Sequence, residues 1–426
     1  MEKSMENRSG AVTTAQVGSE FAAWAAAQWD ENATVAEWWR RLAAAGFSHP
    51  MLPVEMGGRG YSRDLAAAVS SALAEAGCVG PPNGLGLMLA APTIAAHGTP
   101  EQRARFIPRI LDGTEAWCQL FSEPGAGSDL AGLSARAIPD GDEYVVSGQK
   151  VWTSAGEYAQ WGMLLARTDA DLPKHQGITF FALDMTQPGV TVRPLREMTG
   201  HAMFNEVFLD DVRVPASNVI GGVNNGWAVA NTTLSEERAS LGSGGEAMGA
   251  GSALPGAVAG QLQRRVGDFL GVLQGVGGPT TNIGAVVRQL VALAAANGTA
   301  EHPAIRQELA RLHSLDCLNT WNTARAQSGQ ASTGMEANLA KLLSGVTTRL
   351  SREVACAVLG ADAMLWGPTS PTGGEMQEMI VFSPAPSIYG GTDQVQRNII
   401  GERGLGLPRE PGDSRTTPFK DLLRNA

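Results

Sequence analysis

The amino-acid sequence predicts an α+β fold in which a β-rich middle domain separates two helical domains. Helical periodicity dominates residues 21–115, short β-rich runs begin at Ala116, and long helical stretches return after about residue 223. A chain of 426 residues with 43% hydrophobic composition can build two or three packed domains of roughly 100 to 200 residues each. We divide it into an N-terminal tail (1–20), an N-terminal α domain (21–115), a middle β domain (116–222) and a C-terminal α domain (223–426).

The N-terminal α domain is predicted from Ala-rich amphipathic stretches separated by Gly and Pro, such as EWWRRLAAAGF and DLAAAVSSALAEAG. The preceding residues 1–20 are polar and lack the apolar core of a signal peptide or the Arg-rich pattern of a transit peptide. We therefore expect a flexible tail there.

The middle domain is predicted from short runs rich in β-branched and aromatic residues. SARAI and EYVVSG flank the turn residues Asp140-Gly141-Asp142, and they are followed by QKVWTS, WGMLLART, GITFFALDM, VTVRPL and EVFLDDVRV. Strands that follow one another across short turns favour antiparallel pairing, so we expect an antiparallel, barrel-like β domain.

The C-terminal domain is predicted to be a four-helix bundle. Helical stretches return in TTLSEERASL, VVRQLVALAAA, AIRQELARLHSLDCLNTWNTARAQ and NLAKLLSGVTTRLSREVACAVLGA. A Gly/Ala-rich insert at about 242–278 interrupts them, and we expect a long loop or a short, broken helix there.

Composition and charge exclude several classes of protein. The 42 acidic and 32 basic residues give a net charge of −10, which argues against nucleic acid or an anionic membrane surface as the main partner. No uncharged apolar run reaches the ~20 residues that span a bilayer. Four cysteines without CxxC spacing predict buried free thiols and a cytoplasmic location: Cys78, Cys118, Cys317 and Cys356. Six histidines show no metal-ligand spacing: His49, His97, His175, His201, His302 and His313.

A glycine-rich string, WCQLFSEPGAGSDLAGLSA at 117–135, is a candidate anion site. Its Gly-Ala-Gly-Ser segment offers unhindered backbone N–H groups and a hydroxyl, which suit a phosphate or pyrophosphate. The string lacks the Gly-Lys-Ser/Thr of a phosphate-binding P-loop and the GxGxxG spacing of a dinucleotide fold. An ordinary loop is the alternative.

A second string, DGDEYVVSGQKVWTSAGEYAQWGMLLART, places Trp152 beside Thr153 and Ser154. An aromatic face with adjacent hydroxyls suits a planar ring with polar edges. Core packing would explain the tryptophan equally well.

A third string, SIYGGTDQVQR at 387–397, has two glycines before a predicted helix start, with Thr392 as N-cap and Asp393 in the first turn. The glycines indicate either a turn that needs positive φ or a close approach of backbone to a ligand at a helix N-terminus.

These strings together resemble the acyl-CoA dehydrogenase family over nearly the whole chain. The resemblance also includes LPVEMGGRGYS, IAAHGTPEQRARFIPRILDGT, FNEVFLDDVRVP, LSEERA and IYGGTDQVQRNIIGERGLGLP, in the family's order. It implies an α-β-α fold, bound FAD, and removal of two hydrogens from Cα and Cβ of an acyl-CoA thioester. It also implies electron transfer to an electron-transfer flavoprotein.

The resemblance places FAD contacts at the three strings. The segment from Gln119 to Ser122 is similar to the strand along the flavin's pyrimidine edge, Ser128 to the pyrophosphate contact, and Trp152 and Ser154 to residues beside the isoalloxazine. The implied cofactor-binding residues are Gln119, Leu120, Ser122, Gly127, Ser128, Trp152, Thr153, Ser154, Thr392 and Gln394; the implied substrate contacts are Ser128, Arg238 and Gly390.

The base implied by the resemblance is Glu237. Many relatives carry a glutamate at the position of Gly390, and glycine cannot abstract a proton, although its N–H can donate to the thioester oxygen. A minority carry the base on a third-domain helix immediately before an arginine, which corresponds to Glu237 and Arg238. Glu236 is rotated by about 100° on the same helix, so one of the two glutamates faces the pocket. The alternative is that both form a solvated helix face.

The sequence differs from the family's pattern at two strings, and two alternative functions are compatible with it. In place of the family's QRxxFG and GGxG strings, which contact FAD across a subunit interface, the chain has QRRVGDF (263–269) and LGADAML (359–365). We therefore expect a dimer or tetramer, either homomeric or with a homologous chain. The alternatives to a dehydrogenase are a catalytically silent partner subunit and a flavin oxidase or monooxygenase on the same fold.

Overall fold

The computed structural model describes residues 12–242, 262–269, 283–327, 333–409, 411 and 416–422. Within them the chain forms helices, then a sheet, then helices again, as the sequence predicts. No helix in these ranges is long and apolar enough to cross a bilayer.

The N-terminal domain is built from five helices. They are α1 (Thr14–Gln28), α2 (Val35–Ala44), α3 (Arg63–Glu75), α4 (Ala91–His97) and α5 (Pro100–Leu111). Trp38 and Trp39 of α2 are fully buried, and their indole N–H groups donate to the carbonyls of Val79 at 2.6 Å and Gly80 at 2.7 Å. Burying both rings with their polar atoms paired makes α2 the centre of this domain.

The prediction of a flexible tail through residue 20 is wrong, because α1 begins at Thr14. Thr13 and Gln16 form a reciprocal capping box, which pairs backbone N–H groups that would otherwise lack partners at the helix start. Val17, Phe21 and Ala25 follow at intervals of four and are buried, so this helix has an apolar stripe facing the domain core. Residues 1–11 lie outside the described part of the chain.

The middle domain is an eight-stranded sheet. Its strands are β1 (Trp117–Leu120), β2 (Arg136–Asp140), β3 (Glu143–Ser154), β4 (Trp161–Arg167), β5 (Ile178–Asp184), β6 (Val190–Leu195), β7 (Phe204–Pro215) and β8 (Val219–Ile220). The order is β6-β7-β3-β2-β4-β5-β8, with β1 paired to β4. Most pairings are antiparallel, as predicted, but β1 pairs parallel with β4, and β2 does so at one position. The segment between β1 and β4 is long enough for the crossover that parallel pairing requires.

The described residues of the C-terminal domain form four long helices, as predicted, and two short ones. They are α6 (Gly226–Gly242), α7 (Ile283–Ala296), α8 (Pro303–Gln327), α9 (Glu336–Leu359), α10 (Glu375–Phe382) and α11 (Asp393–Ile399). Helix α9 is central, since it packs against α6, α7, α8 and α11. Helix α6 also packs on β5, and this joins the bundle to the sheet.

Most of the predicted Gly/Ala-rich insert, 242–278, lies outside the described residues. Its described part, 262–269, packs on the N-terminal domain: the N–H of Val35 donates to the Arg264 carbonyl at 2.9 Å, and Val266 and Phe269 join the core around α2. QRRVGDF therefore has a structural role in this chain, since its apolar residues anchor it beside α2.

The prediction of four buried thiols is half right. Cys78 and Cys118 are buried, whereas Cys317 is partly exposed and Cys356 is exposed. On α9 the buried neighbours Val354, Ala355 and Val358 mark the core-facing side of the helix. Cys356 lies on the other side because each helical residue advances by about 100°. All four cysteines are unpaired.

Candidate active site

Glu237 lies on α6 with 9% of its surface exposed, and Gln119 of β1 donates from Nε2 to its Oε2 at 3.3 Å. Glu236, one residue earlier, is half-buried. The helix therefore turns residue 237 toward the sheet. As expected for neighbouring helical residues, the two glutamates differ in exposure: Glu237 is buried and Glu236 is half-buried.

Burial raises the pKa of the Glu237 carboxyl above its ordinary value, because the charged form loses hydration. The hydrogen bond from Gln119 and the charges of Arg238 and Lys341 oppose this rise. Arg238 is itself half-buried, and burial lowers the pKa of its guanidinium. A carboxylate with a raised pKa is suited to accept a proton near neutral pH.

Lys341 of α9 is a site residue that the sequence analysis missed. It is 3% exposed, its Nζ donates to the carbonyl of Pro386, and the ammonium lies 5.8 Å from the centre of the Tyr389 ring. Burial lowers its pKa to about 8. The signal for it in the sequence is a set of residues three or four positions apart, which share one face of the helix. This α9 stripe consists of Asn338, Lys341, Gly345 and Arg349.

The α9 stripe holds the segment from Pro386 to Gln396. Asn338 donates to Oε1 of Gln396 at 2.7 Å. Arg349 pairs with Asp393 at 2.8 Å and also donates to Ser387. A Cβ added at Gly345 would lie 2.9 Å from Oγ of Ser387, so only glycine permits this close approach. The position of the glycine pair is thus set by α9.

The glycine pair is a left-handed turn, with φ of 60° at Gly390 and 82° at Gly391. Thr392 is the N-cap of α11 as predicted, and its hydroxyl accepts from the N–H of Val395 at 3.2 Å. The positive-φ interpretation is therefore confirmed, and close approach to a ligand stays a prediction. Gln394 is exposed.

The glycine-rich loop after β1 is anchored by a buried ion pair. Lys150 of β3 lies 2.8 Å from Glu123, and both side chains are at most 5% exposed. Glu123 also accepts from the N–H groups of Ser134 at 2.7 Å and Ala135 at 2.9 Å. Ser122 is held by its carbonyl, which accepts from the N–H of Val151 at 3.0 Å. Leu120 is fully buried, so its predicted contact with FAD would come from its backbone.

The residues after this anchor fit a closely approaching anion. Gly127 and Ser128 are exposed. A Cβ added at Gly125 or Gly127 would meet no atom within 4 Å, and neither has a positive φ. Nothing in the described part of the chain therefore requires glycine at these two positions, and the missing side chains leave the backbone N–H groups open to a pyrophosphate.

The residues around Trp152 fit a planar ring. Trp152 has φ of 60°, at a register shift between β3 and β7, and is 59% exposed, so the core-packing alternative is wrong. This backbone conformation costs about 1 to 3 kcal/mol for a residue other than glycine. Thr153 is buried, and its Oγ1 has no hydrogen-bond partner among the described residues. Ser154 is also buried. A polar-edged ring such as an isoalloxazine would cover the exposed indole, whereas the Thr153 hydroxyl lies below the surface.

Two other sequence predictions concern residues away from this site. LGADAML contains a short 3-10 helix at Gly360–Met364, and Met364 is 83% exposed. Within the described ranges no group of three or more His, Cys, Asp or Glu residues is arranged to hold a metal ion.

A helical domain, a β-sheet domain and a second helical domain, in this order, form the acyl-CoA dehydrogenase fold, which belongs to a class of oxidoreductases. Family models match in chain order: "Acyl-CoA dehydrogenase, N-terminal domain" at 9–114, "middle domain" at 118–212 and "C-terminal domain" at 276–405. The chain belongs to the acyl-CoA dehydrogenase family.

Similar proteins of known name agree with this assignment. The chain is 38% identical over 384 residues to "Acyl-CoA dehydrogenase IpdE1" of Mycobacterium tuberculosis, covering 88% of each chain. It matches the solved "ChsE4-ChsE5 complex from Mycobacterium tuberculosis" with a TM-score of 0.69 and 27% identity, covering 96% of this chain and 100% of that chain. It matches "Tcur3481-Tcur3483 steroid ACAD" with a TM-score of 0.69 and 26% identity, covering 93% and 98%.

Proposed function

We propose that the protein catalyses FAD-dependent α,β-dehydrogenation of an acyl-CoA thioester, with Glu237 accepting the α-proton. The observation that carries the proposal is the burial of this carboxyl against Gln119, on the strand that resembles the flavin-edge strand. The other position at which relatives place the base is Gly390, which has no side chain to act as one.

FAD would be held at three segments of the chain. Gln119, Leu120 and Ser122 would contact it along β1, Gly127 and Ser128 would bind its pyrophosphate, and Trp152 would cover the ring beside Thr153 and Ser154. Thr392 and Gln394 would contact it next to α11. When bound, FAD would supply the acceptor for the hydride that leaves Cβ.

The chain's own residues would bind the thioester and take up the proton. The N–H of Gly390 donates to the thioester oxygen and stabilises the charge that develops there. The Cα proton moves to a carboxylate oxygen of Glu237, whose burial excludes water from the transfer. Ser128 and Arg238 complete the proposed substrate contacts.

We propose that the electrons then pass to an electron-transfer flavoprotein, and that the protein works in the cytoplasm, where its free cysteines stay reduced. We also propose that it assembles with a second chain, identical or homologous, since one solved relative is a complex of two named chains. A bulky acyl group is supported by the relative described as a steroid enzyme and by the small residue at position 390.

Anaerobic flavin reduction tests the base. We expect Glu237→Gln to keep its yellow cofactor and to lose bleaching by substrate about 10²- to 10⁴-fold, because the proton acceptor is gone. Glu236→Gln is the matched control and should bleach at the wild-type rate. Unchanged bleaching by Glu237→Gln would overturn the assignment.

A screen of straight, branched and polycyclic acyl-CoAs tests the substrate class. We expect the polycyclic acyl-CoAs to reduce the flavin fastest, and equal rates with short straight chains would contradict this.

The relative that forms a two-chain complex favours one alternative, a silent partner subunit. That alternative predicts a colourless protein that no acyl-CoA reduces. Rapid reoxidation of the reduced flavin by oxygen would instead indicate an oxidase.

A further inference from the structure

Lys341 is a buried cation that the proposed reaction does not use. It lies on α9, the central helix of the bundle, and is 3% exposed. Removing an ammonium from water is costly, so a lysine in this position needs compensating contacts. Among the described residues its hydrogen-bond acceptor is the carbonyl of Pro386. An ammonium has three N–H donors, and this bond uses one of them. Nearby negative charge must therefore provide the rest of the compensation.

The contact with Pro386 fixes the start of the segment that contains the glycine pair. Pro386 is four residues before Gly390, and the Tyr389 ring lies beside the same ammonium at 5.8 Å. Helix α9 thus places the Gly390 N–H, the proposed thioester donor, partly through the lysine side chain.

The charges around Lys341 come from three helices. Helices α6 and α11 pack against α9, and Lys341 interacts through its charge with Glu237 of α6, Asp393 at the start of α11 and Arg349 of α9 itself. Asp393 is already paired with Arg349 at 2.8 Å. Glu237, in turn, is faced by the cations Arg238 and Lys341, and Arg403 lies close enough to Arg238 to interact with it. Lys341 therefore interacts both with the proposed base and with the glycine segment.

We propose that Lys341 is a positioning residue that favours the ionised form of Glu237 and holds the glycine segment against the same site. The proposal rests on the proposed function of Glu237 as base. A purely structural lysine would hold Pro386 and leave the protonation of Glu237 unchanged.

Three variants separate the two contributions. Lys341→Arg keeps a charge and donors, Lys341→Gln keeps a donor for the Pro386 carbonyl and loses the charge, and Lys341→Met loses both. In the holoenzyme we expect the acidic limb of the pH profile for anaerobic flavin reduction to move up by less than about one pH unit in the Gln and Met variants, which is less than a tenfold change in proton affinity. The Arg variant should keep the wild-type limb. Equal shifts in all three, or none in Gln and Met, would overturn the proposal.

A double-mutant cycle on the substrate-free holoprotein tests the same coupling without activity. We expect Lys341→Met to destabilise the Glu237 protein more than the Glu237→Gln protein at pH 7, because only the carboxylate interacts with the ammonium. The difference should vanish as acid protonates Glu237. No coupling at any pH would overturn the proposal, whereas normal bleaching by Glu237→Gln would remove the proposed function and leave this measurement valid.

Discussion

The β domain and the helical bundle each bury a glutamate and a lysine, and the pKa values of the two glutamates are shifted in opposite directions. In the β domain, Glu123 contacts Lys150 directly at 2.8 Å. At the bundle, Glu237 and Lys341 interact through their charges, while Glu237 is hydrogen-bonded to Gln119 and Lys341 to Pro386.

The difference shows in the carboxyl pKa values. Burial favours the neutral acid at both sites, yet the Lys150 charge and four hydrogen bonds, from Lys150, Ser134 and Ala135, hold the pKa of Glu123 below its ordinary value. At Glu237 the pKa is raised because burial outweighs one hydrogen bond and two nearby cations. A fully paired carboxylate stays charged and anchors a loop, whereas a partly paired one is free to exchange a proton.

Breaking the fully paired site should have the largest effect on stability. Lys150→Met leaves Glu123 as an uncompensated buried charge, and we expect it to lower the free energy of unfolding by about 3 to 5 kcal/mol. Urea unfolding at pH 7 measures this. The double variant Lys150→Met/Glu123→Gln should recover part of the loss, and a cost below about 1 kcal/mol for Lys150→Met would show that the pair is not the anchor of the loop.

The two glutamates should give opposite pH dependence of stability. The pKa of Glu123 lies below the ordinary 4.5, so its ionised form contributes stability above pH 4.5 that is lost as pH falls through the folded pKa. The pKa of Glu237 lies above 4.5, so stability is lost as pH rises from 4.5 through the folded pKa.

Glu123→Gln should therefore be least destabilising in acid, and Glu237→Gln should gain stability relative to wild type toward neutral pH. Urea midpoints measured from pH 4 to 8 compare the two. Parallel pH curves for the two variants would mean that the two environments do not differ as described.

Removing the single hydrogen bond at Glu237 should have the smallest effect. Gln119→Leu keeps the β1 backbone and loses the donor, at a cost of about 1 kcal/mol for the charged form. Because this bond favours the carboxylate, its loss raises the pKa of Glu237, and the acidic limb of flavin reduction should move to higher pH by less than about one unit. A limb that moves to lower pH would exclude Gln119 as a partner of the base.

Much of the fold could be predicted from local patterns. The three regions, the four long helices and the cap at Thr392 are confirmed, because helix periodicity and capping depend on residues within a few positions of one another. The error at α1 was also local: Thr13 and Gln16 are a capping signal within a segment that its polarity suggested was a tail. Burial was harder to predict, as Cys356 and Trp152 show, because it depends on which elements pack together.

The sequence by itself determined the family, the order of the domains and the two candidate glutamates on α6. Only the tertiary structure decided that Gln119 meets Glu237 and that Lys341 reaches Pro386, across 118 and 45 residues of chain. The physical reason is that desolvation and Coulomb interactions depend on distance in space. A carboxyl acquires a raised pKa only when separate elements close around it and remove its water.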